Sequence, residues 1–303
     1  MIMPLAEIIS SHNLDYHFYA DDTQLYISFN PKEQSSFDLS SATMERCIRE
    51  IKTWMNANML KLNEDKTEVL FIASPHFQKS ISDTFLTVNQ TQVSRTNSAR
   101  NIGVIFDDQM LLKEHIASVC KVSLFHLRNI GLIRRYLTQD ACTTLVHSLI
   151  SSRIDYCNSL LVQLPANSLD KLQRVLNTAA RIVSLRPKSD NITPVLHSLH
   201  WLPISHRIQY KVILFVFRCL NNMSPAYLAD LLTLHVPKRD LPSADKAILD
   251  YKTSTKYGER SFSVAGSVLW NVVPEEMRLI TDIGHFKSQL KTWLFKDAFK
   301  DYE

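Results

Sequence analysis

The first glycine in this chain is Gly103, and only five occur in 303 residues. Glycine is the residue that most readily takes left-handed backbone in tight turns and close approaches, so its scarcity suits a mostly helical body. It also excludes a Walker A loop and a dinucleotide fingerprint, which both set clustered glycines beside a phosphate. An apolar share of 45% against 21% charged residues is that of a chain able to bury a core. Its length allows one large domain or two smaller ones. Cys47, Cys120, Cys142, Cys157 and Cys219 are scattered and include no C-x-x-C pair. They support neither a zinc ribbon nor a disulfide framework, and read as buried free thiols of a reducing compartment.

Hydrophobic periodicity divides the chain. The first ~110 residues read as α+β. Tyr16–Tyr19 and Leu25–Phe29 are strand-like runs joined by the polar tetrad Ala20-Asp21-Asp22-Thr23, so a hairpin is expected. Met44, Cys47, Ile48, Ile51, Trp54 and Met55 recur at three- and four-residue spacing, which predicts a helix over 40–59. Thr67–Ala73 reads as a buried strand, and Phe85–Val88 with Ile102–Phe106 as a further β pair. Beyond Asp108 long helical stretches take over. Leu169, Leu172, Val175, Leu176, Ala179 and Val183 form one apolar stripe, with Lys171, Arg174, Thr178 and Arg181 opposite. Arg207–Leu220 is apolar nearly all round, as a central helix would be, and Leu234–Tyr257 has the composition of a linker. The division expected is 1–110, 111–233 and 234–303.

Charge is unevenly spread. Residues 110–218 hold 14 Lys/Arg against 5 Asp/Glu, inside a chain whose net charge is only +4. Such a basic middle either meets a polyanion or is a solvated surface. The start, Met1–Ile9, carries Glu7 and no basic run, a poor signal peptide. The longest wholly apolar run is Val212–Phe217, far short of a membrane span. A soluble, intracellular protein with no membrane partner is expected, and no protein partner is indicated.

Phe18-Tyr19-Ala20-Asp21-Asp22 is the motif with the most chemistry in it. Adjacent carboxylates on a turn repel unless a cation neutralises them, and a few carboxylates completed by phosphate oxygens are how Mg²⁺ is usually held. The same dipeptide is also simply a good turn sequence.

The run Phe18–Tyr26 resembles the Y-A-D-D hairpin of reverse transcriptases, in the form used by LINE (non-LTR, jockey-like) retrotransposons. The resemblance continues in order. Trp54-Met55 and Leu60-Lys61-Leu62-Asn63-x-x-Lys66-Thr67-Glu68 are similar to the family's next palm motif, and Arg100–Asp107 to the hairpin that grips the primer strand. Ser152–Ser159, Leu199–Pro203, Ser224-Pro225-x-Tyr227-Leu228, Tyr257-Gly258-x-Arg260-Ser261-Phe262, Leu269-Trp270-Asn271 and Phe286–Phe295 resemble its C-terminal region, so the likeness spans essentially the whole chain.

That resemblance implies a partial right-hand polymerase palm, a mostly antiparallel sheet with a helix, followed by an all-α thumb-like region. It implies RNA-directed DNA polymerisation on an RNA template and DNA primer, from deoxynucleoside triphosphates. Asp21 and Asp22 would hold Mg²⁺. Lys66 would assist the leaving phosphate, or is a solvated lysine. Tyr19 would lie beneath the nascent base pair, or is a core aromatic. Gly103 would sit on the primer-gripping turn, and Lys171, Arg174 and Arg181 would meet phosphates of the duplex. The family's remaining palm Asp lies upstream on another strand, and only 20 residues precede Asp21 here. Two metals facing two carboxylates would be under-ligated, so the expectation is a fragment that is inactive alone, or else a non-catalytic nucleic-acid-binding remnant.

Overall fold

The computed structural model describes residues 3–30, 32–78, 85–88, 91–235, 247–252 and 255–302, and the chain divides into two compact units, Met1–Leu112 and Lys113–Glu303. Mixed helix and small sheets make the fold α+β at the coarse level.

Unit 1 begins with helix α1 (Met3–Ser11), in the stretch that makes a poor signal peptide; its Ile9 is wholly buried. The hairpin of β1 (Asp15–Tyr19) and β2 (Asp22–Tyr26) follows. Alternation in β1 sends Tyr16 and Phe18 inward, and Leu25 and Ile27 join them against Ile9, Leu14, Cys47 and Ile51. The last two belong to helix α2 (Gln34–Ala57), which starts earlier than its apolar stripe predicts. Burial of the Cys47 thiol, with Glu50 adding to the effect, raises its pKa to about 11.

Two strand expectations need correction. Only Val69–Leu70 (β3) of the run 67–73 is a strand; beyond it comes helix α3 (Pro75–Gln78). Phe85–Val88 (β4) pairs with Thr91–Thr96 (β5), and Ser98–Asn101 (β6) with Val104–Asp107 (β7), not with each other's partners. Each run found a nearer neighbour, which closes a shorter loop at lower entropic cost. β3, β5 and β4 form one three-stranded sheet, β3 parallel to β5. The hairpin β1–β2 is a two-stranded sheet of its own among the described residues.

Unit 2 is helical. It runs through α4 (Lys113–Ile133), α5 (Gln139–Val146), a π-helical turn His147–Ser151, α6 (Ser152–Asp155), α7 (Ala166–Ser184), α8 (Thr193–Ser198), α9 (Ile204–Leu220) and α10 (Ala226–Ala229). Short strands β8 (Thr233–Leu234) and β9 (Leu249–Asp250) pair, and α11 (Lys256–Glu259), α12 (Phe262–Val272), α13 (Glu275–Arg278) and α14 (Ile283–Phe299) complete it.

Leu172, Val175, Leu176, Ala179 and Val183 of α7 are all buried, as their stripe predicts. Helix α9 is central: Ile213, Val216 and Phe217 share one core with Leu249, Trp270, Phe286, Leu290 and Leu294. Residues beyond 234 therefore share the core of what precedes them. Gly266 lets α12 approach α9 closely, since a Cβ there would lie 3.0 Å from Val216 Cγ2. The linker reading of 234–257 also needs correction at its described ends. Leu249 is buried and clamped through both backbone groups by Asn271, and Trp270 Nε1 donates to the Ala247 carbonyl. The middle of that stretch lies outside the described residues.

Lys113–Tyr136 is long and apolar enough to cross a membrane by length and composition alone. Its Ile116, Leu127 and Ile130 are buried within the protein, whereas Leu124, Phe125, Leu132 and Ile133 are exposed.

Candidate functional sites

The acidic pair sits at the tip of β1–β2. Tyr19 pairs across to Asp22, so the loop is just Ala20-Asp21, and Asp22 is the first residue of β2 rather than part of a four-residue turn. Ala20 takes a left-handed φ of 54°, the conformation in which a two-residue hairpin loop ordinarily favours glycine. Asp21 and Asp22 are exposed, and neither side chain makes a hydrogen bond or ion pair among the described residues. Tyr19 is 63% exposed, which removes the core-aromatic alternative. Strand alternation puts Tyr19, His17, Asp22, Gln24 and Tyr26 on the outward face, where His17 stacks on Tyr26 at 5.7 Å.

A second turn is tied to this face. β6 and β7 are joined by Ile102-Gly103, with φ of 44° and 80°. Both are left-handed, which is what a tight hairpin loop of this kind needs, and Gly103 takes its share without strain. Asn101, just before that turn, donates from Nδ2 to Gln24 Oε1 at 2.9 Å, across 77 residues of sequence. Nothing in the periodicity of either segment points to this bond.

Oxygen donors with no other partner suit a hard cation such as Mg²⁺. The pair is alone, however: no group of three His, Cys, Asp or Glu is gathered for a metal among the described residues. Asp15 lies at the far end of β1, about 13 Å along the strand. Lys66 ends the 3₁₀ turn Glu64–Lys66, held by its amide on the Asn63 carbonyl; it is exposed, and no interaction among the described residues joins it to Asp21 or Asp22.

Unit 2 carries the basic face. Lys171 and Arg174 are exposed on α7, and Arg181 is half-buried. Arg174 and Arg181 line a cleft of about 780 Å³ with Gly131 of α4 and, just past α7, Arg186 and Lys188. Those last two residues went unremarked in the sequence; basic residues flanking Pro187 at a helix end were the available signal. Not every cation here faces solvent. Arg134 is 8% exposed and donates to the carbonyls of Ile182, Val183 and Leu137 at 2.7–2.8 Å. Arg207 is bound to Asp155 at 2.8 Å and to the Leu202 carbonyl, joining two of the C-terminal motifs. The histidines 197 and 200 pack against Phe295, and His206 meets Asp297. No protein-family model, curated protein or solved structure matches the chain.

Proposed function

We propose that this chain carries the metal-binding turn and the primer-facing hairpin of an RNA-directed DNA polymerase of the LINE type. The observation that supports the reading most is the bond between Asn101 and Gln24, which ties the second hairpin, next to its turn, to the outward face of β2 that begins at Asp22. A polymerase must hold carboxylates beside the end of a primer strand. An acidic turn on a hairpin that is fastened, through its second strand, to another hairpin turning at glycine is an arrangement suited to that task.

In this reading Asp21 and Asp22 would hold Mg²⁺, which when bound would supply charge neutralisation at the primer 3′-hydroxyl and the departing pyrophosphate. Tyr19 presents an exposed ring beside Asp22 for the nascent base pair, and Gly103 offers backbone without a side chain to the primer. Lys66 would assist the leaving phosphate. The exposed cations of α7 contact duplex phosphates whatever the sequence. Because two carboxylates leave a pair of ions under-ligated, primer extension by this chain alone is not expected.

The first test is a titration with Mn²⁺, followed by paramagnetic broadening of backbone amides. Broadening should centre on residues 19–23 and vanish in the Asp21→Asn, Asp22→Asn double variant. Broadening centred elsewhere, or unchanged in that variant, defeats the metal assignment. A second reading, non-catalytic nucleic-acid binding, is favoured by the basic face of unit 2. It predicts affinity for a duplex that falls steeply with salt, with a shallower slope after Lys171→Glu and Arg174→Glu.

A further inference from the structure

We propose that the cleft at the C-terminal end of α7 binds a nucleoside bearing a phosphate monoester, as a free nucleotide or as the phosphorylated end of a strand. This goes beyond the sequence-independent backbone contacts above and rests on unit 2 alone, not on the acidic turn.

Charge is the first argument. Arg174, Arg181, Arg186 and Lys188 line the cleft, and no acidic residue does. Their hydrogen-bonding capacity is largely unspent. Arg174 and Lys188 make no side-chain ion pair or hydrogen bond among the described residues. Arg186 reaches Asp190 only at 3.7 Å. Arg181 makes one long bond, 3.3 Å to the Asp190 carbonyl, and its Nε is buried with no partner. A phosphate monoester brings nearly two negative charges and three terminal oxygens, a better match to several converging cations than a singly charged diester.

The helix end would ordinarily oppose an anion, because unpaired carbonyls gather there. Here three of the last four are taken. Arg134 occupies the carbonyls of Ile182 and Val183, and the amide of Arg186 that of Arg181. The charged side chains that line the cleft are all positive.

Shape supplies the nucleoside half. Ile182, Leu185 and Pro187 give an apolar wall, and Leu185 is 68% exposed on a left-handed φ of 52°. Gly131 leaves an opening, since a Cβ there would meet nothing within 4 Å. The volume is in the range that small ligands fill.

The test is calorimetry on the full chain at fixed salt, with dAMP, deoxyadenosine, and one oligonucleotide bearing either a 5′-phosphate or a 5′-hydroxyl. dAMP should bind about tenfold or more tightly than deoxyadenosine, and the phosphorylated strand should be preferred by a similar factor. Arg174→Gln with Lys188→Gln should remove both preferences. So should Gly131→Gln, which changes no charge but fills the opening; circular dichroism melts establish that each variant folds. If dAMP binds and the two strands are equal, the cleft stands with a free nucleotide as its ligand. If dAMP binds and neither strand does, the cleft again stands, with a free nucleotide as its ligand. No binding of dAMP with equal binding of both strands overturns the cleft. A phosphate preference that survives Gly131→Gln also overturns the cleft.

Discussion

At Ala20 a methyl-bearing residue holds a backbone conformation that costs an L-residue about 1–2 kcal/mol. Strain of this kind gathers where a turn must present neighbouring groups in a set way, and the neighbours here are Asp21 and Asp22. Ala20→Gly relieves it, partly offset by the greater freedom of glycine in the unfolded chain. A net gain of about 0.5–1 kcal/mol in urea unfolding is expected; a loss would mean that the turn is not left-handed at this residue. His147 offers a second residue-scale test. Burial chiefly lowers its pKa, the Arg207 charge adds to the effect, and Asp155 opposes it. A histidine with a folded pKa below its unfolded one binds fewer protons when folded, so its contribution to stability is complete above the unfolded value near 6.5 and is lost as pH falls toward the folded value. Thermal midpoints between pH 8 and pH 5 should therefore drop less steeply in His147→Gln than in the parent. Parallel curves would remove His147 as the cause.

Among elements, α7 shows how a residue distant in sequence completes a helix. Its last carbonyls are taken by Arg134, which follows α4, and not by a neighbouring side chain. Replacing Arg134 with Met keeps the bulk of the stem but leaves buried carbonyls unpaired, at a cost of about 3 kcal/mol. Chemical denaturation should show that loss, and hydrogen exchange should speed up first in the final turn of α7. An unchanged midpoint would show that water satisfies those carbonyls. The ion pair of Arg207 with Asp155 is weaker, because the carboxylate is more than a third exposed; Asp155→Asn should cost about 1 kcal/mol. These two arginines were counted in the basic middle of the chain, yet they are structural. The cations open to a polyanion include instead the exposed or loosely paired Lys171, Arg174, Arg181, Arg186 and Lys188 of α7 and its end.

For the whole molecule, the division after Leu112 predicts that residues 113–303 melt cooperatively on their own, since α4, α7, α9, α12 and α14 bury their apolar faces within that unit. A separately made 113–303 fragment without a sigmoidal melt would refute this. The amino-acid order alone was enough to mark α2 and α7, because a repeat of three and four places the apolar residues of a helix on one face whatever surrounds it, and α9, because a run apolar nearly all round suits a buried helix. It was also enough for the hairpin at Asp21-Asp22, where two alternating runs flank a polar turn. It placed β4 and, through the resemblance, the hairpin of β6 and β7, but not the extent of β3 or the pairing of β4 with β5. Short apolar runs suit several partners, and only the assembled unit selects among them. Tertiary structure alone decided the bond from Asn101 to Gln24, the burial of Arg134 and the cleft beside α7. Each depends on groups far apart in the chain coming within a few ångströms, and no local pattern of residues encodes that distance.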